Sequence, residues 1–326
     1  MEGTMVLRKC LTTVVLALAS AGALGGQQLS KVERLGYPAS TKLLIVHADD
    51  LGMAHSQDTA SFAALEAGGA SSASVIVPAP WTPEVAAWRR QHPEADVGVH
   101  TALTCEWQTI RWRGLLSPNE VPSLYDQQGY LPASVPQVAQ HAKAADVERE
   151  VRAQVAQAKA LGLDPTHMDM HMNGVAATPE IFAAYLRVAR ENHLPAEIHW
   201  EEMRPEPNAP DAGRRAAYAA AVWPGEVLVD RYDSAPGDLK PQDWAAWYTK
   251  FIEGLQPGTI TVVYVHLGYD DAEMRAATLG HDGRGAAWRQ RDVDFFMSPV
   301  LKQLLAANNV RLTTWRELSK LLPPRS

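Results

Sequence analysis

The stretch "LLIVHADDLG" (Leu43–Gly52) decides how this chain is read. Leu43 to Val46 are apolar, partly β-branched and do not alternate with polar residues, the pattern of a strand covered on both faces. Such a strand has no room for carboxylates. His47, Asp49 and Asp50 therefore belong to its carboxyl end, where α/β folds gather ligands and catalytic groups. A single aspartate there would be read as the cap of a helix beginning near Ser56. Two adjacent aspartates repel each other when both are ionised, so the pair calls for a cation, a shared proton or full solvation.

Outward from this strand, the chain alternates strand-like and helix-like segments. "ASVIVPA" (Ala73–Ala79) and "DVGVH" (Asp96–His100) read as the next two strands, with helices near Asp58–Ala67 and Pro83–His92. A long non-periodic segment, Thr101–Val138, follows; its tryptophans, tyrosines and arginines argue against disorder. Val147, Val151, Val155, Ala158 and Leu161 recur at helical spacing until Gly162 and Pro165 end the helix. Pro165 disfavours its continuation, so Thr166–His171 reads as a strand. Then come a helix at Pro179–Asn192, strands around Ala196–Trp200 and Val227–Arg231, and a helix at Pro241–Leu255. A strand at Thr259–Gly268, a helix at Asp292–Asn308 and a last strand at Val310–Trp315 complete the order. With about seven strands, no internal repeat and no linker, this is an α/β chain forming a single-domain (β/α) barrel-like fold, irregular or incomplete.

The chain has 326 residues, 46% of them hydrophobic and 21% charged, enough for a substantial core. A net charge of −7 excludes a general nucleic-acid binder, which needs a basic surface. Arg8 and Lys9 precede an apolar run, Leu11–Leu24, with small residues at Ala19, Ala21, Ala23, Gly25 and Gly26. This pattern predicts a signal peptide over residues 1–26, cleaved between Ala21 and Gln27, and a secreted or periplasmic domain over 27–326. A membrane anchor is disfavoured because the run is shorter than the roughly 20 residues needed to span. Of the two cysteines, Cys10 lies in the signal, leaving Cys105 unpaired and expected to be a small semi-buried residue.

Three expected strands end in chemistry: "HADD" (47–50), "GVH" (98–100) and "HMDMH" (167–171); "YVHLG" adds His266. One carboxylate with two imidazoles suits a catalytic divalent metal that keeps positions open for water and substrate. His167 and His171 do not read as a metalloprotease helix, which requires H-E-x-x-H. On a strand, His167, Asp169 and His171 share a face, so the first two are expected to support His171.

The ordered set "LLIVHADDLGM", "SASVIVPA", "DVGVHTALT", "LGLDPTHMDMHMN" and "VHLGYDD" resembles the YdjC/ChbG family of metal-dependent carbohydrate deacetylases, over roughly residues 42 to 320. The resemblance implies a (β/α) barrel-like fold, removal of N-acetyl groups from amino sugars or chitooligosaccharides, and a divalent ion, zinc or magnesium. It implies Asp50, His100 and His171 as metal ligands, Asp49 as catalytic base and His266 as candidate acid. His266 is expected to be held as imidazolium by nearby carboxylates. Asn173 and Leu267 depart from the family pattern without touching an implied ligand, and His47 stands where the family often has Asn, a change that bears on how the base is oriented. In the long loop, Trp107, Trp112 and Tyr125 are expected to stack on sugar rings and Arg111 to contact hydroxyls, with packing of the loop onto the barrel as the open alternative. The expected partner is an N-acetylated sugar or oligosaccharide, with no nucleic acid and no stable membrane anchor after cleavage; homo-oligomers stay open. The alternatives are a hydrolase of the same fold acting on another amide or ester, and a catalytically silent carbohydrate-binding protein.

Overall fold

The structure, a computed structural model, describes Met1 and residues 29–324. Apart from Met1, the segment read as a signal peptide lies outside the described residues. Among the described residues no helix is long and apolar enough to cross a membrane.

Seven parallel strands form one curled sheet: β1 (Lys42–Leu51), β2 (Ser72–Val75), β3 (Val97–Thr101), β4 (Met168–Met170), β5 (Arg231–Ser234), β6 (Ile260–Val265) and β7 (Val310–Leu312). The order is β4-β3-β2-β1-β6-β5, with β7 on β1. Leu43 to Ala48 of β1 pair with Ile260 to Val265 of β6 along one edge. The other edge is shared: Lys42 to Leu44 pair with β7, and β2 takes over from His47 onward. With a neighbour on both edges, β1 is buried from Leu43 to Leu51, as its unbroken apolar run requires. Helices cover the outside, giving an incomplete (β/α) barrel. The helix Ala144–Ala160 buries Val147, Val151, Val155 and Ala158, the periodic face read from sequence.

The barrel is open between β4 and β5. The strand expected at Ala196–Trp200 is a single bridge from Ala196 to Met168. The Glu197 carboxylate accepts the Met170 N–H at 2.8 Å, replacing the carbonyl a paired strand would supply, and Trp200 starts a helical turn, Trp200–Met203. The strand expected at Val227–Arg231 begins only at Arg231. The helix expected at Asp292–Asn308 is two, Ala286–Phe296 and Pro299–Ala307. Pro299 has no N–H to continue the first helix but suits the first turn of the second. The last strand stops at Leu312, because the Thr314 side chain accepts the Glu317 N–H and starts the helix Trp315–Leu318.

The long segment after β3 has one short 3₁₀ turn, Pro122–Leu124, yet it is packed. Trp107, Trp112, Val121, Leu124 and Leu131 are buried. Glu150, on the covering helix, accepts the Leu115 and Leu116 N–H groups at 2.8 and 3.0 Å. Carboxylates from a neighbouring helix thus satisfy backbone that has no secondary structure of its own.

Asp96, buried just before β3, accepts the Trp315 and Arg316 N–H groups at 3.0 and 2.8 Å and ties the C-terminal helix to the base of the sheet. Asp96→Ala should strand both donors and cost about 2 to 3 kcal/mol in urea unfolding, with Asp96→Asn losing less. Equal stability of Asp96→Ala and wild type would show that this tie contributes nothing.

Candidate metal centre and active site

Strict alternation would send Asp49 and Asp50 to opposite faces of β1. The strand avoids this with a bulge: Ala48 pairs with Ala73 and Leu51 with Val75, so Asp49 and Asp50 together face one residue of β2. Asp50 takes φ 66°, a left-handed conformation that Asp tolerates better than most residues. The Gln57 side chain donates to the Asp49 carbonyl at 2.7 Å and fixes the bulge. Both carboxylates then line one cavity of about 490 Å³. Neither caps the following helix, His55–Ala67, whose first N–H groups, from His55 and Ser56, are taken by Glu273.

Asp50 Oδ1 lies 3.4 Å from His100 Nε2 and 3.3 Å from His171 Nδ1. All three side chains are buried, and their ligand atoms lie within 4.8 Å of one another. The other ring nitrogens are also held: His100 Nδ1 is 3.0 Å from Asp169 Oδ1, and His171 Nε2 is 3.0 Å from Glu106 Oε2. A carboxylate behind each imidazole is the arrangement that orients metal-binding histidines. Although burial lowers them, carboxylates raise His100 well above its ordinary value and His171 to about 9. The cluster thus stabilises positive charge where a divalent ion would displace those protons. Asp50 Oδ2 is occupied by the Arg289 guanidinium at 2.9 Å, leaving Oδ1 as the free donor. Against burial, Arg289 and the two histidines hold Asp50 well below the usual carboxylate range. The residues present fit a divalent ion with one oxygen and two nitrogen donors.

Asp49 stands beside this set. Its Oδ1 is 3.2 Å from His47 Nε2, and its Oδ2 is 3.8 Å from His266 Nε2. Burial, opposed by His100 and His47, raises Asp49 to about 7. His47 also reaches Asp169 Oδ2 at 2.7 Å and the Ser72 hydroxyl at 3.0 Å. Asp169 therefore bridges His47 and His100, and does not support His171 as expected. The cause is local: β4 ends at Met170, and His171 opens a 3₁₀ turn, Met172 and Asn173 following at φ 53° and 60°. His171 leaves the strand's alternation and meets Glu106 of the long loop. His167 lies on the same face as Asp169 but deeper, its ring edge-on to His47 at 5.0 Å and stacked on Trp315.

His266 follows β6 and lines the cavity, its N–H held by Asp292 at 2.8 Å. Burial, reinforced by Arg289 and Arg284 against Asp50, lowers it to about 3. The expected imidazolium is thus a neutral imidazole, because desolvation and two guanidinium groups outweigh the carboxylates. Of the loop residues expected to contact sugar, Trp107 alone lines the cavity, with the Arg289 guanidinium 5.4 Å from its ring centroid. Arg111 is held outside by Asp126 at 2.7 Å and by Tyr130. Trp112 is buried behind His171 and donates to the Thr104 carbonyl at 3.0 Å. Cys105 is buried among them, which pushes its thiol up to about 11.

Sequence reasoning missed Glu106, Arg289 and the opposite wall. Arg289 and Asp292 lie three apart on the helix Ala286–Phe296 and share a face, a signal hidden by starting that helix at Asp292. The opposite wall lies in the barrel's gap, where Glu197 joins Tyr264 and His199, and His199 stacks on Tyr232 at 4.5 Å.

An incomplete (β/α) barrel with a buried Asp-His-His cluster that could hold a metal ion, and a second aspartate beside it, has donors suited to hydrolytic chemistry. Comparison with known proteins narrows the class. The model of the YdjC-like protein family matches residues 43–307, and the chain belongs to this family. A carbohydrate deacetylase of Thermus thermophilus is 32% identical over 297 residues, covering 89% of this chain and 98% of the relative. A chitooligosaccharide deacetylase of Serratia marcescens is 30% identical, over 50% of this chain and 62% of the relative. A provisionally named cellobiose-phosphate cleavage protein of Enterococcus faecalis V583 has the same fold, with TM-score 0.69 at 19% identity, covering 86% of this chain and 99% of that one.

Although burial opposes it, Glu197 and Glu202 raise His199 to about 10. Its folded value lies above its unfolded one, so its contribution is complete below about pH 6.5 and is lost as pH rises toward 10. The melting-temperature gap between wild type and His199→Gln should therefore narrow from pH 6.5 to 10. A constant gap would show that the charge on His199 contributes nothing.

Proposed function

We propose that this chain is an exported hydrolase that removes N-acetyl groups from amino sugars or chitooligosaccharide-like glycans, using a divalent ion held by Asp50, His100 and His171. The observation that carries the proposal is a second carboxylate, Asp49, outside the Asp50-His100-His171 donor set and beside it in a cavity of about 490 Å³. A module that only binds sugar has no use for that pairing. Carbohydrate deacetylases among the relatives supply the substrate class. Two imidazoles favour zinc over magnesium, which prefers oxygen donors. Export rests on the N-terminal pattern around Arg8, Lys9 and Leu11–Leu24.

An amide carbonyl resists water. When bound, the ion supplies Lewis acidity toward that carbonyl and toward the attacking water. Asp49 takes the water's proton as general base, steadied by His47 at 3.2 Å. His266 is neutral and cannot begin as an acid. Asp49, raised to about 7, carries that proton and gives it to the departing sugar nitrogen as the C–N bond breaks and acetate leaves, while the neutral His266, 3.8 Å from Asp49, lines the same space. Arg289 keeps Asp50 ionised and occupies its Oδ2, so Oδ1 would be the oxygen that holds the ion. Trp107 and the His199–Tyr232 wall confine the sugar, whereas Arg111 and Trp112 act through the packing of their loop.

Incubation with diacetylchitobiose should release acetate in a divalent-ion-dependent manner. Asp50→Asn should lose bound metal, and Asp49→Asn should keep it while turnover falls about 10²- to 10⁴-fold. Elemental analysis reads the first effect and acetate release the second. Loss of metal from both variants would reverse the division of roles, and chelation without effect would remove the metal from the mechanism. Acetate release from simple esters but not from the sugar amide would favour the esterase alternative.

A further inference from the structure

His100 and His171 offer opposite nitrogens to the same oxygen. His100 turns Nε2 to Asp50 Oδ1 with Nδ1 against Asp169, while His171 turns Nδ1 to Asp50 Oδ1 with Nε2 against Glu106. The two supporting carboxylates differ in origin. Asp169 sits on β4, buried and shared with His47. Glu106 comes from the long loop after β3, lines the cavity, and serves no other side chain within the described hydrogen bonds.

We infer that Glu106 is a positioning residue, through which the long loop selects the tautomer of His171 and commits it to bind the divalent ion through Nδ1. This rests on the metal-site reading above. The physical reason is local. His171 has left the strand, and the residues after it, Met172 and Asn173, run in left-handed backbone. The strand ladder therefore no longer fixes its ring. Three contacts do: Asp50 at 3.3 Å, the edge of His100 at 5.1 Å between centroids, and Glu106 at 3.0 Å. Two of these are carboxylates, Asp50 at Nδ1 and Glu106 at Nε2; once an ion takes the place of the proton between Asp50 Oδ1 and Nδ1, Glu106 alone demands a proton, on Nε2, because an ionised carboxylate accepts and cannot donate. A proton on Nε2 leaves the Nδ1 lone pair facing Asp50 Oδ1 and His100 Nε2, the position of the ion.

Glu106 is itself held in place. Cys105, its neighbour, accepts the Trp112 N–H at 3.4 Å through sulfur, and the Trp112 indole donates back to the Thr104 carbonyl at 3.0 Å. The turn that carries Glu106 is thereby closed on both sides, with the Trp112 ring 5.8 Å from His171. Trp112 and Cys105 thus have a task that is neither sugar stacking nor thiol chemistry. They fix the carboxylate that fixes the ligand.

The test uses the full chain, ¹⁵N-labelled at histidine and loaded with zinc. Wild type should show a protected, downfield Nε2–H signal from His171, with Nδ1 bound to zinc. Competition with a chromophoric chelator should show Glu106→Ala binding zinc about 10- to 100-fold more weakly. Its Nε2–H should lose protection or give way to a mixture of tautomers. Glu106→Gln, whose carbonyl still accepts a proton, should keep the Nε2–H form and lose less affinity. It decides the matter if Glu106→Ala melts far below wild type. The exposed Glu120→Gln, on the same loop, should bind zinc like wild type. An Nδ1–H signal in wild type would place the ion on Nε2 and overturn the inference. So would wild-type affinity and an unchanged signal in Glu106→Ala. Failure of wild type to bind zinc or any other divalent ion would instead remove the metal-site reading, and this inference with it.

Discussion

The site depends on one irregularity, the bulge at Asp49 and Asp50. A regular β1 would bury one of these carboxylates on the wrong face, where an uncompensated charge costs several kcal/mol. Holding Asp50 at φ 66° costs on the order of 1 kcal/mol. The conformation persists because neighbours over-determine it. Gln57 holds the Asp49 carbonyl, and Arg289 holds Asp50 Oδ2 and, at 2.7 Å, Gln57 Oε1. A buried guanidinium would be equally costly without Asp50, so each group makes the other tolerable. The helix that carries Arg289 also carries Asp292, which takes the His266 N–H together with the Trp244 and Tyr248 side-chain donors. One helix thus positions both a metal-ligand candidate and the histidine that faces the base candidate.

The incomplete barrel explains why there is a cavity at all. A closed eight-stranded barrel fills its interior with layers of side chains. Here the sheet ends at β4 and β5, and the segment that spans the gap contributes side chains where a strand would contribute backbone. Glu197 is central to this substitution. It takes the Met170 N–H, the Tyr264 hydroxyl and His199, and so turns an unpaired sheet edge into a polar cavity wall. Asp169 binds the opposite side together. Its two oxygens meet His47 and His100, so the support of the base candidate and the support of a ligand candidate share one carboxylate. The energetics of the two functions are coupled through it.

Much of this was legible along the chain. The apolar run from Leu43 to Val46 can be satisfied only by burial between neighbours, and a period-independent strand alternating with amphipathic helices admits few folds. Because strand ends converge at one rim, Asp49, Asp50, His100, His171 and His266 could be assembled without coordinates. The α-helix Pro179–Asn192 was readable to the residue, since Thr178 and Pro179 mark its start and the apolar spacing its face. Less was readable where pairing gives way to side-chain bonds. The strand expected at Ala196 reduces to a bridge because Glu197 competes for the Met170 N–H, a choice made by a contact between residues 27 apart.

The sequence by itself determined which residues could carry chemistry and that they would meet at the sheet's carboxyl end, because periodicity and strand direction are local properties of the chain. Tertiary structure alone decided how each group is oriented and charged. Glu106 reaches His171 across 65 residues, Asp169 reaches His47 across 122, and Arg289 reaches Asp50 across 239. It also withdrew Arg111 and Trp112 from the cavity and made His266 neutral. Desolvation and hydrogen-bond direction depend on everything packed around a group, and no local pattern of residues encodes that surrounding.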